Sequence, residues 1–131
     1  MEQTFGAFLT RKRLEREFTL RGFAEKMGLS PVYICNLEKD RRTAPKKELL
    51  DKMSTLLRLD KQEEQTLLDL AARSQNAPAV SLDLPEYIME HDIVRVALRT
   101  AKDADATDAE WQEFIEQINR RKARESKGRE G

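Results

Sequence analysis

The chain holds one cysteine and one histidine among 131 residues. A single thiol closes no intramolecular disulfide, and the pair cannot build a zinc site of the usual Cys/His kind. No apolar run approaches the roughly 18 residues that span a bilayer. The opening MEQTFGAFLTRKR has no apolar core segment and no small-residue cleavage site, so a secretory signal is not expected there. No G-x-S-x-G, P-loop or H-E-x-x-H motif occurs, and no general-base constellation is visible. A non-enzyme without cofactor or metal, cytoplasmic and not bound to a membrane, is therefore expected. Glycine (5) and proline (4) are few and aromatic residues make up 6%, while charged residues reach 37%. Few backbone breakers and many charges point to helices.

A net charge of zero conceals three segments. Residues 1–59 carry a net +5, residues 60–119 a net −9, and residues 120–131 a net +4. A basic first half suits a polyanionic partner, and the acidic middle does not.

The apolar spacing predicts a helix from about Thr4 to Glu17, with Thr4 as N-cap and Phe5, Phe8 and Leu9 inward. A second follows Thr19, with Leu20, Phe23, Ala24 and Met27 on one face, and Gly28 ends it. Ser30-Pro31 opens a third, Pro31 to Glu38, by a hydroxyl cap followed by proline. A charged loop, KDRRTAPKK, leads to helices at about Lys46–Leu57 and Lys61–Arg73. Asp60 and Glu63 have the spacing of a capping box. Residues 74–85 show no periodicity and read as a linker. A helical region at 86–122 follows, broken near His91-Asp92, where Asp92 could cap a second piece. Thr107 and Glu110 form a capping box that opens the last helix. The polar tail, 123–131, is expected to be disordered.

Residues 20–38 place two short helices about the turn Gly28-Leu29-Ser30, which is a helix-turn-helix by length and chemistry. Ala24 sits where the helices cross closely, and Phe23, Met27, Ile34 and Leu37 supply a shared core. The stretch FTLRGFAEKMGLSPVYICNLEKDRR resembles the helix-turn-helix of the phage-repressor-like Cro/C1 transcription factors, the XRE family. The resemblance covers about residues 4–73. It implies an all-α, five-helix, lambda-repressor-like DNA-binding domain, followed here by a short C-terminal helical region. Many members carry glutamine at the start of the second helix, where it contacts a phosphate. This chain has Leu20 there, leaving Arg21 or Thr19 for that role.

The resemblance makes 31–38 the recognition helix, entering the major groove of double-stranded DNA by its N-terminus. Pro31, Val32, Tyr33 and Asn36 would face bases, and Asn36 can bond adenine bidentately. Thr19, Arg21, Lys39, Arg41, Arg42, Lys46 and Lys47 are candidates for phosphates. Arg13 and Glu38 match a family ion pair that fixes the end of the recognition helix. Cys35, inside that helix, reads as a small filling residue rather than a redox sensor. His91 sits between two acids in sequence, and consecutive helical positions do not share a face as ligands must.

Trp111, Phe114, Ile115 and Ile118 form an apolar stripe at helical spacing. It is the core of a small hairpin, an interface, or both. Self-association is favoured, because helix-turn-helix proteins read paired half-sites about 34 Å apart. The expected function is a sequence-specific transcriptional regulator, a repressor acting as a homodimer. The alternative is an antitoxin-like protein whose C-terminal helices hold a partner protein while the helix-turn-helix autoregulates.

Overall fold

The computed structural model describes residues 3–130, which form eight helices and no strand. The helices are α1 (Phe5–Glu15), α2 (Leu20–Met27), α3 (Pro31–Glu38), α4 (Lys47–Leu56), α5 (Lys61–Arg73), α6 (Pro85–Glu90), α7 (Asp92–Asp103) and α8 (Asp108–Glu130). Two compact units divide the chain, one up to Tyr87 and the other from Ile88.

Side-chain caps start four of the first five helices. Thr4 accepts from the Ala7 amide at 3.1 Å, Thr19 from Gly22 at 2.9 Å and Ser30 from Tyr33 at 3.1 Å. Asp60 and Glu63 close a reciprocal box at 2.8 and 3.0 Å. Each cap satisfies an amide that the first helical turn leaves without a partner. α4 alone starts without one, behind Pro45 and Lys46.

The scarcity of glycine shows at the other ends. Among the described residues, only α2 stops on one, Gly28, at φ 71°. Glu17, Asp40, Arg58 and Asp105 take the left-handed conformation after α1, α3, α4 and α7. In each case the next amide reaches back into the helix, as from Phe18 to the Arg13 carbonyl at 3.1 Å and from Arg41 to Asn36 at 2.9 Å. These are Schellman-type ends built on residues that pay a steric penalty there. Glu17 therefore terminates α1 and does not belong to it, which shortens the expected helix by two residues.

Phe8, Leu9, Phe23, Ala24, Met27, Ile34, Leu37, Leu50, Met53, Leu57 and Leu67 make a single core within the first unit. α1 packs on α3 and α5, α2 on α3 and α4, and α4 on α5. Ala24 of α2 is wholly buried.

Residues 74–84 contain no helix, but they are not a free linker. Ser74 Oγ accepts from the Ala44 amide at 2.9 Å, and the buried Ser81 hydroxyl donates to Asp69. The first unit accordingly runs on to Tyr87. Asp92 is the first residue of α7 and its cap position is His91. α8 continues to Glu130 where a disordered tail from 123 is expected from sequence; Gly131 lies outside the described residues. Arg121 and Glu125, paired at 2.7 Å one turn apart, support that extension. Among the described residues, no helix is long and apolar enough to cross a membrane.

Candidate nucleic-acid interface

α3 is fastened at both ends and along one side. At its start, Ser30 caps the first turn and Pro31 supplies a preset backbone angle. Ile34 and Leu37 are fully buried beneath it. At its end, the Arg13 guanidinium grips Glu38 through two parallel bonds, Nε to Oε2 at 2.7 Å and Nη2 to Oε1 at 3.0 Å. The remaining nitrogen, Nη1, donates to the Phe18 carbonyl at 2.8 Å. Both side chains are about nine-tenths covered, so this fork is a charge-assisted contact in a sheltered place.

Two further supports escape a reading of the sequence. Asp40 folds back onto the start of α1, accepting from Thr4 Oγ1 at 2.6 Å and from the Gly6 amide at 2.8 Å. Its carboxylate sits at the positive end of the α1 dipole. Gly6 lies against the last carbonyls of α3, and a Cβ there would collide with the Leu37 and Glu38 oxygens. A glycine early in an amphipathic helix is the signal that could have marked this close approach.

The expected base-reading side chains do not stand out equally. Pro31 and Val32 are exposed, Val32 to 70%. Asn36 is half-buried, and no described residue bonds its amide. Tyr33 differs, because it packs partly against the core while the Arg42 guanidinium lies 5.5 Å from its ring centre. Arg42 is thus held on an aromatic face beside α3.

The cations divide into two sets. Arg21, Lys39, Arg41 and Lys46 are exposed and have no acidic partner among the described residues. Lys47 pairs with Asp51 at 3.2 Å on the surface, and the Thr19 hydroxyl already accepts from Gly22 as a cap. Leu20, in the position where the family often has glutamine, packs partly against the core. Lys12, Arg13, Arg16 and Lys52 serve the fold instead. Lys12 bonds Glu63, Arg16 donates to the Leu57 carbonyl at 2.7 Å, and Lys52 donates to the Met27 carbonyl at 3.2 Å. The bond from Lys12, helped by the Asp60 amide, lowers the Glu63 carboxyl to about 2. The same bond raises Lys12 above its ordinary value.

Cys35 is half-buried within α3. No group of acids, histidine and cysteine able to hold a metal occurs among the described residues. Trp111 and Phe114 meet edge to face at 6.1 Å, and Phe114, Ile115 and Ile118 are exposed.

Two short helices packed on each other, the second presenting an outward face flanked by cations without acidic partners among the described residues, define a helix-turn-helix of the kind that docks on duplex DNA. Residues 9–63 match the family model described as helix-turn-helix, and the domain they form belongs to that family. The chain carries the DNA-binding domain of a transcriptional regulator. No curated protein matches it. Among solved structures, a chain of the SinR protein/SinI protein complex is 22% identical, over 92% of this chain and 99% of that one, with a TM-score of 0.47. That likeness is too loose to bear on function.

Proposed function

We propose that the protein is an operator-binding repressor that acts as a homodimer, each copy laying α3 in the major groove. The observation that supports this reading is the face of α3. Exposed Pro31 and Val32 and the Asn36 side-chain amide lie on it, with Lys39, Arg41 and Lys46 just beyond, none of these four polar side chains bonded to a described residue. Asn36 reads a base, Val32 contacts a thymine methyl, and the cations hold phosphates. Tyr33 serves mainly to seat Arg42, which its ring orients. Repression follows from occupancy alone, since covering an operator needs no further surface.

Fluorescence anisotropy tests the proposal, with the DNA upstream of the protein's own gene and a scrambled duplex as control, across several salt concentrations. The native duplex should bind tighter, with a steep salt slope. Asn36→Ala should lose ~1–3 kcal/mol on the native site and relax the preference at one base position. Arg41→Ala should weaken both duplexes alike and lower the salt slope by roughly one. Equal losses from both variants on both duplexes would remove Asn36 from base reading. Weak binding to both duplexes, with a stable second protein co-purifying through the C-terminal helices, would favour the antitoxin-like alternative.

A further inference from the structure

The unit from Ile88 onward carries apolar side chains that no core of its own covers. None of its described residues is buried. Ile93, Val96 and Leu98 of α7 and Phe114, Ile115 and Ile118 of α8 are each at least 40% exposed. α8 also runs on for about 18 Å past Ile118, at about 1.5 Å per residue. That extension is studded with Arg120, Arg121, Lys122, Arg124 and Lys127, whereas Asp108 and Glu110 stand on the near side of the stripe.

We propose that α8 pairs antiparallel with α8 of a second copy, in the register that lays one apolar stripe on the other. The proposal rests on the dimer reading above and adds its geometry. The stripe is centred between Phe114 and Ile115. A two-fold axis there sets Trp111 against the partner's Ile118 and Phe114 against the partner's Ile115. At 100° per residue, Asp108 and Lys122 lie on the same flank of the stripe, and Glu110 and Arg121 on the other. In an antiparallel pair, like flanks meet. Asp108 then falls beside the partner's Lys122, and Glu110 beside the partner's Arg121. Glu113 and Glu116 project from the far side, away from the seam. A parallel pair would instead bring opposite flanks together, with Asp108 beside the partner's Glu110 and Lys122 beside the partner's Arg121, and such juxtaposed like charges oppose association. The basic extension, which has no apolar face to bury, gains a role as the arm that reaches the partner's acidic end.

Charge reversal in the full chain tests this, read by sedimentation velocity at low salt. Asp108 and Lys122 are both exposed, so their replacement leaves the helix intact, which far-ultraviolet circular dichroism checks. Asp108→Lys alone and Lys122→Glu alone should each weaken self-association about five- to tenfold, because two symmetric contacts turn repulsive. An equimolar mixture of the two variants should recover affinity near that of the unaltered chain, since each flank of the mixed dimer again holds opposite charges. If the unaltered chain dimerises but neither reversal weakens it, or mixing restores nothing, the antiparallel register is wrong and the dimer stands. If Lys122→Glu weakens DNA binding without touching dimerisation, the arm serves DNA and the proposal falls. A chain that stays monomeric at tens of micromolar overturns the dimer reading together with this one.

Discussion

Gly6 illustrates how one missing side chain can set the position of a whole reading head. It allows the first turn of α1 to rest on the last carbonyls of α3, with Asp40 bonding across the junction. Gly6→Ala should force that junction apart, costing ~1–3 kcal/mol by the usual penalty for overpacking. Thermal unfolding measures the loss. Because the displaced atoms belong to α3, DNA affinity should fall by more than the loss of folded protein explains. An anisotropy titration well below the melting temperature separates the two effects. Arg13 and Glu38 act at the same end of α3, and their place was legible from the family resemblance. Gly6 and Asp40 were not legible, since their partners lie more than thirty positions away in sequence. Periodicity reports which face of a helix is apolar, and it is silent on which end touches another element.

At the scale of elements, helix starts were easier to read than helix ends. Thr4, Thr19, Ser30 and Asp60 cap through their own side chains, a local chemistry that spacing reveals. The ends at Glu17, Asp40, Arg58 and Asp105 use left-handed backbone at residues other than glycine, so no glycine marks them in the sequence. Arg58→Gly should relieve that strain and stabilise the first unit by roughly 0.5–1 kcal/mol, after the extra entropy of glycine in the unfolded chain is subtracted. Its carbonyl, which accepts from Arg16, is kept. A denaturant titration should move the midpoint upward without changing the slope. The tail of α8 misled for a similar reason. Its polar composition gives it nothing to bury, yet lysine, arginine and glutamate propagate a helix well once it has begun at Thr107.

For the whole molecule, the segmental charge gave a correct direction and an incomplete inventory. The basic first half does carry the DNA-binding domain, but Lys12, Arg13, Arg16 and Lys52 are spent on tying α1, α2, α3, α4 and α5 together. Counting charge cannot separate a cation that holds the fold from one that faces outward. The Lys12–Glu63 tie, joining α1 to α5, makes stability depend on pH. Glu63 has its folded-state value lowered to about 2 from an ordinary 4.5. The unfolded chain therefore takes up the proton more readily. The stabilisation is complete above about pH 4.5 and is lost as pH falls toward 2. Melting temperatures followed through this window should decline, and Glu63→Gln should flatten that part of the profile while lowering stability at neutral pH.

The contacts that fasten the end of α3 involve neither Val32 nor Asn36 of its outward face. Arg13, Glu38, Asp40 and Gly6 hold the helix, while the Val32 and Asn36 side chains make no bond to any described residue. In the proposed reading, where 32 and 36 face bases, preference for a DNA sequence can drift by substitution there while the bonds that seat α3 are kept. Tyr33 does not share that freedom, since its ring is part of the packing and the perch of Arg42. Melting temperatures that stay level across a library at 32 and 36, and drop across one at 33, would show where this lineage can explore and where it is held.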